Sequence, residues 1–170
     1  MKLRWIAAAL VFCGCGAAGF SVAAGYRRQE RNLQMLLQAL EAMTCELRYR
    51  HSALPELCLE AGRCCNGCLQ QVFLELADKL RAHSCADAAG CMALALSAVP
   101  ELEEPLVRNL RILGSGLGRF DAAGQLQGLE SVMELVRRDL AGLRSDLQSR
   151  LRCCRTLGLC AGAALAILLL

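Results

Sequence analysis

Aromatic side chains are scarce in this chain, at 4% of 170 residues, and proline occurs three times. The 55% hydrophobic content therefore rests on Leu and Ala, both good helix formers, and so few prolines leave long helices uninterrupted. Lysine is almost missing: of 19 basic residues, only Lys2 and Lys79 are not arginine. A net charge of +3 is too small to imply a nucleic-acid surface, so no nucleic-acid partner is expected. Histidine is limited to His51 and His83, which leaves a Ser-His-Asp or Cys-His arrangement without support. The acids sit singly along helical patterns rather than as facing pairs. No alternating strand pattern is present. These gaps predict an all-α protein that is not an enzyme and needs no cofactor.

Cysteine, by contrast, is abundant, with twelve residues. In a small secreted protein that number would suggest a disulfide framework. Here Cys13, Cys15 and Cys160 sit inside apolar runs, and most others occupy helical positions where Ala would serve. Free thiols behave as small hydrophobes and suit a reducing compartment, which is the expectation taken here. One group asks for a metal reading: Cys58, Cys64, Cys65 and Cys68, with His83, Cys85 and Cys91 further on. Cys65-Asn66-Gly67-Cys68 has the CxxC spacing of tetrahedral zinc, but no second CxxC follows, so no metal site is assigned. A metal- or redox-responsive membrane protein using the Cys58 to Cys91 group stands as the alternative function. A secreted, disulfide-stapled helical domain is a third.

The two ends are the longest apolar stretches, in a chain of mean hydropathy +0.37. Trp5 to Ala24 runs without a charge between Lys2 and Arg4 on one side and Arg27 and Arg28 on the other. At the helical rise it reaches about 30 Å, the thickness of a bilayer core. Ser21-Val22-Ala23 resembles a cleavage site, but the stretch is longer than a usual signal core and the helical pattern continues past Tyr26. An anchor is the expectation. Thr156 to Leu170 is also uncharged; with Cys153 and Cys154, and Arg152 and Arg155 snorkelling, it reaches about 27 Å. The predicted organisation is a short tail at 1–4, a transmembrane helix at 5–25, a helical domain at 26–152 and a second transmembrane helix at 153–170. Arg27, Arg28, Arg31, Arg150, Arg152 and Arg155 crowd the inner flanks, which places the middle domain in the cytosol and both termini across the membrane. Gly158, Gly162 and Ala166 form a small-residue face on the second anchor, and Cys15, Gly19 and Ala23 one on the first, fit for close helix approach in lipid.

Within the middle domain, Leu33, Leu36, Leu40, Met43 and Leu47 recur at alternating three and four residues. Leu126, Leu129, Met133, Val136, Leu140, Leu143 and Leu147 do the same. Both are heptad seams. Antiparallel pairing sets Leu33 near Leu147 and Leu47 near Met133, with Leu40 and Leu140 as buried members of a stalk. Such a seam can also face a second copy, so a homo-oligomer stays open. Between the seams lie shorter helices. Ser52 is expected to cap one starting near Leu54 and ended by Gly62, and Asn66 to cap the next. Ser84-Cys85-Ala86-Asp87 reads as a variant capping box opening a third helix. A fourth runs from about Glu104 to Leu113, and Asp121 caps the last. Glu46 and Arg50, Glu75 and Lys79, Glu104 and Arg108, Glu134 and Arg138, and Asp146 and Arg150 form i,i+4 pairs on solvated faces. Gly114-Ser115-Gly116-Leu117-Gly118 lacks the Lys-Ser/Thr of a phosphate loop and follows a helix, not a strand, so it reads as a helix break.

Several short motifs follow one another along the chain: the apolar N-terminus, Leu40-Glu41 through Glu46-Leu47 with Tyr49, and Ser52-Ala53-Leu54-Pro55-Glu56. Leu117-Gly118-Arg119-Phe120-Asp121 with Gln125 comes next, and Leu157-Gly158 leads into the apolar tail. In order and spacing they resemble the stage III sporulation protein AB family of endospore-forming bacteria, whose signature is Leu-Gly-x-x-Asp-x-x-x-Gln. The abundant cysteines and the region of Met92, where the family often carries Trp, depart from the pattern. The resemblance implies a fold similar to type II secretion platform domains and a place in the mother-cell membrane facing the forespore. It implies a non-enzymatic platform of a transenvelope complex, whose partners are a cytosolic secretion-type ATPase and other membrane components. Asp121 and Gln125 then have two readings: a helix cap that sets the start of the stalk, or an outward contact with the ATPase.

Overall fold

The computed structural model describes the backbone of residues 2–50, 52–118 and 121–169, and the side chains of residues 25–50, 52–118, 121 and 123–147. Six helices and no strand occur among the described residues: α1 (Lys2–Tyr49), α2 (Leu54–Arg63), α3 (Cys68–Arg81), α4 (Ala88–Ser97), α5 (Glu104–Gly116) and α6 (Ala122–Leu169). They divide into two compact units, one of residues 1–30 with 141–170, the other of residues 31–140.

The second unit carries the core. In α1, Leu33, Leu36, Leu40, Met43 and Leu47 are all buried, with Ala39 beside them. In α6 the buried residues are Leu129, Val132, Met133, Val136 and Leu140. Spacing at three and four residues puts each set on one stripe of its helix, and burying such stripes supplies most of the stability of a helix pair. Arg48 pairs with Glu130 at 3.6 Å and Arg137 with Glu41 at 3.5 Å. As the number rises on one helix it falls on the other, so the pairing is antiparallel, as the seams predict. The Thr44 hydroxyl lies 3.7 Å from Met133 Sδ, one turn from the expected Leu47 opposition, and donates to the Leu40 carbonyl at 2.8 Å.

The short helices pack in sequence order, α2 on α3, α3 on α4 and α4 on α5. Pro55 and Pro105 each fall in the first turn of a helix, where a missing N–H costs nothing. Phe73 is fully buried in α3 with Leu69, Val72, Leu76 and Ala77 at helical spacing. Gly62, still inside α2, faces Phe73 and Leu74, with which a Cβ would make ordinary contact at 3.5 and 3.6 Å.

Three expected caps are corrected. The residue before α2 is Ala53, which offers no side-chain bond, while the Ser52 hydroxyl lies 3.0 Å from Glu46 Oε2 and donates to it. α2 runs past Gly62 to Arg63. Asn66 does not cap α3: Gly67 does, at φ +63°, a left-handed conformation that glycine adopts without strain. Asp87 is itself the cap of α4, its carboxylate accepting from the Gly90 N–H at 2.9 Å, so the box is displaced by three residues from Ser84. α5 also extends beyond Leu113 to Gly116.

In the first unit, Glu30 Oε1 accepts from Arg144 Nε at 2.7 Å. The expected transmembrane segments, 5–25 and 153–170, fall almost wholly outside the residues whose side chains are described, as do Gly158 and Gly162. Among the described residues, no helix is long and apolar enough to cross a membrane.

Candidate functional site

The signature residues meet where α5 ends and α6 begins. α5 runs through Gly116, and Leu117, 3% exposed, turns its side chain into the core. Gly118 follows at φ +73°. A Cβ there would come 3.5 Å from Leu54 Cδ2 and 3.9 Å from Ala88 Cβ, so the turn is seated against the first residues of both α2 and α4. Asp121, exposed, then caps α6: its Oδ1 accepts from the Gly124 N–H at 3.0 Å. The Gln125 N–H closes the first turn on the Asp121 carbonyl at 2.9 Å. The pattern Leu-Gly-x-x-Asp-x-x-x-Gln thus contains a buried anchor, a left-handed glycine, an N-cap and the end of the first helical turn. The Asp121 carboxylate also faces the positive end of the helix dipole. Leu40 and Leu140, the other residues singled out within the domain, are both buried in the α1/α6 seam.

The seven cysteines whose side chains are described are free. Cys58, Cys65 and Cys91 are buried, Cys45 and Cys64 exposed, Cys68 and Cys85 half-buried. Burial pushes the Cys58 thiol up to about 12. It does the same for Cys65, again to about 12, with a smaller push from Cys64. The Cys65 thiol lies 3.8 Å from the Met35 carbonyl, and the Cys68 thiol 3.9 Å from Glu101 Oε2. Among the described residues, no group of three or more His, Cys, Asp or Glu could hold a metal ion, so the CxxC spacing at Cys65 and Cys68 does not assemble one.

One constellation has no signal in the sequence. Asn109 is wholly buried in the middle of α5, and its Nδ2 donates to Asp139 Oδ2 on α6 at 2.9 Å. Arg108 Nη2 donates to both oxygens of the same carboxylate, at 2.8 and 2.7 Å. Arg108 therefore leaves its expected i,i+4 partner, Glu104, for a charge-assisted bond across the fold. The pairs Glu46–Arg50, Glu75–Lys79 and Glu134–Arg138 do form, at 3.2, 3.9 and 3.2 Å. Asp146–Arg150 lies outside the described side chains.

The family model for stage III sporulation protein AB matches residues 4–170. A solved structure of stage III sporulation protein AB is similar to this chain with a TM-score of 0.60 at 19% identity, over 69% of this chain and 94% of that one. No curated protein matches the sequence. At that identity the structural likeness speaks for the fold: an all-helical domain. The family match extends from the first turn of α1 to the last residue, takes in both apolar ends and the Leu117 to Gln125 signature, and shows that the chain belongs to the stage III sporulation protein AB family.

Proposed function

We propose that this chain is a membrane-anchored, non-enzymatic platform of a sporulation complex, joining a cytosolic secretion-type ATPase to the membrane components of that complex. The observation that carries this reading is the extent of the family match, which includes both apolar ends together with the helical domain. The residues 5–25 and 153–170 are long enough and apolar enough, read as sequence, to serve as anchors. The arginines beside them favour a cytosolic middle domain, and the family resemblance implies a place in the mother-cell membrane facing the forespore. Many charged side chains of the helical domain, Arg48, Glu130, Glu41 and Arg137 among them, stand half exposed and are open to a partner. A homo-oligomer through the apolar ends is compatible with the small-residue faces at Gly158 and Gly162.

Two measurements test the reading. In a background freed of native cysteines, Gln148→Cys in intact cells should resist a membrane-impermeant thiol reagent and react only after the membrane is opened. Labelling in intact cells overturns the cytosolic placement. Full-length chain in detergent should retain the purified ATPase on an affinity column, and Asp121→Asn should retain it equally, because Asn caps nearly as well as Asp. Loss of the ATPase with an unchanged melting midpoint would assign Asp121 to the contact itself. No retention by the wild type overturns the adaptor role.

A further inference from the structure

Cys85 and Cys91 bracket the start of α4 and belong to no part of the platform reading. Cys85 lies in the bend before the helix, and Cys91 is the fourth residue inside it. The Asp87 cap folds the intervening residues back on themselves. As a result the Cys85 side chain rests on Gly90: a Cβ on that glycine would meet Cys85 Cβ at 3.0 Å and Cys85 Sγ at 3.1 Å. Glycine at position 90 is what lets the sulfur sit there. The next residue, Cys91, is buried, and burial raises its thiol above the ordinary range, with smaller influences from the Cys85 backbone and thiol. With Cys85 resting on the residue beside Cys91, the two cysteines stand at opposite ends of one tight turn, a placement from which a disulfide can be sought.

We propose that Cys85 and Cys91 are a thiol-oxidation site, converted to an intramolecular disulfide by a low-molecular-weight disulfide. Cys85, half-buried, is the sulfur that an outside reagent reaches; Cys91, at 1% exposed, is not. The Cys85 thiolate attacks one sulfur of the reagent, forming a mixed disulfide and releasing one thiol. Cys91 then gives up its proton and attacks the Cys85 sulfur, releasing the second thiol. The reagent is reduced by two electrons and the pair is oxidised by two, with both protons carried off on the departing thiols. The order of the steps follows from exposure, since the outside reagent reaches Cys85 and not Cys91, and burial raises the Cys91 thiol above its ordinary range. Ala88, the first residue of the same helix, is the neighbour of Gly118 in the signature turn, so the bridge would tie down one wall of that turn.

The test uses full-length protein incubated with graded oxidised glutathione, alkylated and cut with trypsin. The peptide 82–108 holds Cys85 and Cys91 and no other cysteine, while peptide 32–48 holds Cys45 alone. Peptide 82–108 should lose two hydrogens and become resistant to alkylation at a glutathione disulfide concentration about tenfold or more below that which modifies Cys45. Cys91→Ala should leave glutathione attached to Cys85, and Cys85→Ala should leave Cys91 unmodified. Two results overturn the proposal in the wild-type chain. One is glutathione on Cys85 with Cys91 still alkylatable. The other is both thiols of 82–108 free when Cys45 is already modified.

Discussion

Two helix contacts within residues 31–140 are held by different means. Between α1 and α6 the contact is a ladder of Leu, Met and Val side chains with exposed ion pairs on its flanks, Arg48–Glu130 and Arg137–Glu41. Between α4 and α5 it is a close approach of backbones. A Cβ on Gly114 would stand 2.6 Å from Met92 Cβ and 2.9 Å from its Cγ, closer than real atoms come. The first contact depends on hydrophobic area repeated at a regular period, the second on one missing methyl group. A ladder fails when a charge is buried in it and shrugs off changes at its rim. A close approach fails when anything is added.

The largest effect that separates them is expected in the ladder. Leu40→Asp or Leu140→Asp buries an unpaired carboxylate and should cost several kcal/mol, on the order of 3–5, read from denaturant melts of the full chain. A Leu140→Asp protein as stable as the wild type would break the idea of a sealed ladder. Next in size is a pair of glycine substitutions with opposite signs. Gly114→Ala should destabilise by about 1–3 kcal/mol through overpacking against Met92, even though Ala is the better helix former. Gly128→Ala, on α6 with nothing within 4 Å of the new methyl, should stabilise by about 0.5–1 kcal/mol. Equal effects at the two glycines would erase the contrast. Smaller again is the cap: Asp121→Ala should cost about 1 kcal/mol and Asp121→Asn a few tenths at most. At the bottom of the scale, Arg137→Ala removes an ion pair half exposed on both sides and should shift stability by less than about 0.5 kcal/mol.

The same contrast explains what could be read in advance. Leu33 through Leu47 and Leu129 through Leu140 announce themselves because burial on one stripe imposes a period, and a period survives in sequence. Caps do not carry that redundancy. Ser84 and Asp87 both suit an N-cap, and only the point where helical dihedrals begin tells which one accepts from an N–H; here it is Asp87. Ser52 is a good capping residue drawn away by Glu46, and Asn66 lies one position short of the left-handed Gly67. The transition into α6 was legible, since Asp121 follows a glycine-rich break and no nearby residue competes for the role. Arg108 looked like half of a helix-surface pair with Glu104, but a carboxylate thirty-one residues away offers it two oxygens and wins. For Asn109 there was no cue at all, because a single polar residue in a helical pattern reads as a solvated face. CxxC spacing counts residues along the chain, whereas a metal needs several ligands in one place, which is why the Cys65–Cys68 spacing alone assigns no site.

A ladder of similar apolar side chains has a weakness that the Asn109 contact addresses. Slid by one heptad, leucine still meets leucine, so apolar matching by itself leaves α6 several comparable settings along its own axis. The Asn109 amide, sealed from water, has its donor satisfied where Asp139 stands beside it, and among the described residues its Oδ1 has no hydrogen-bond partner to fall back on. Any other setting would strand a carboxamide in the interior and pull a carboxylate off Arg108, a penalty that rises with every group left unsatisfied. The polar trio thus acts as an index pin on a toothed rack: the leucines permit many notches, and Asn109 with Arg108 selects one.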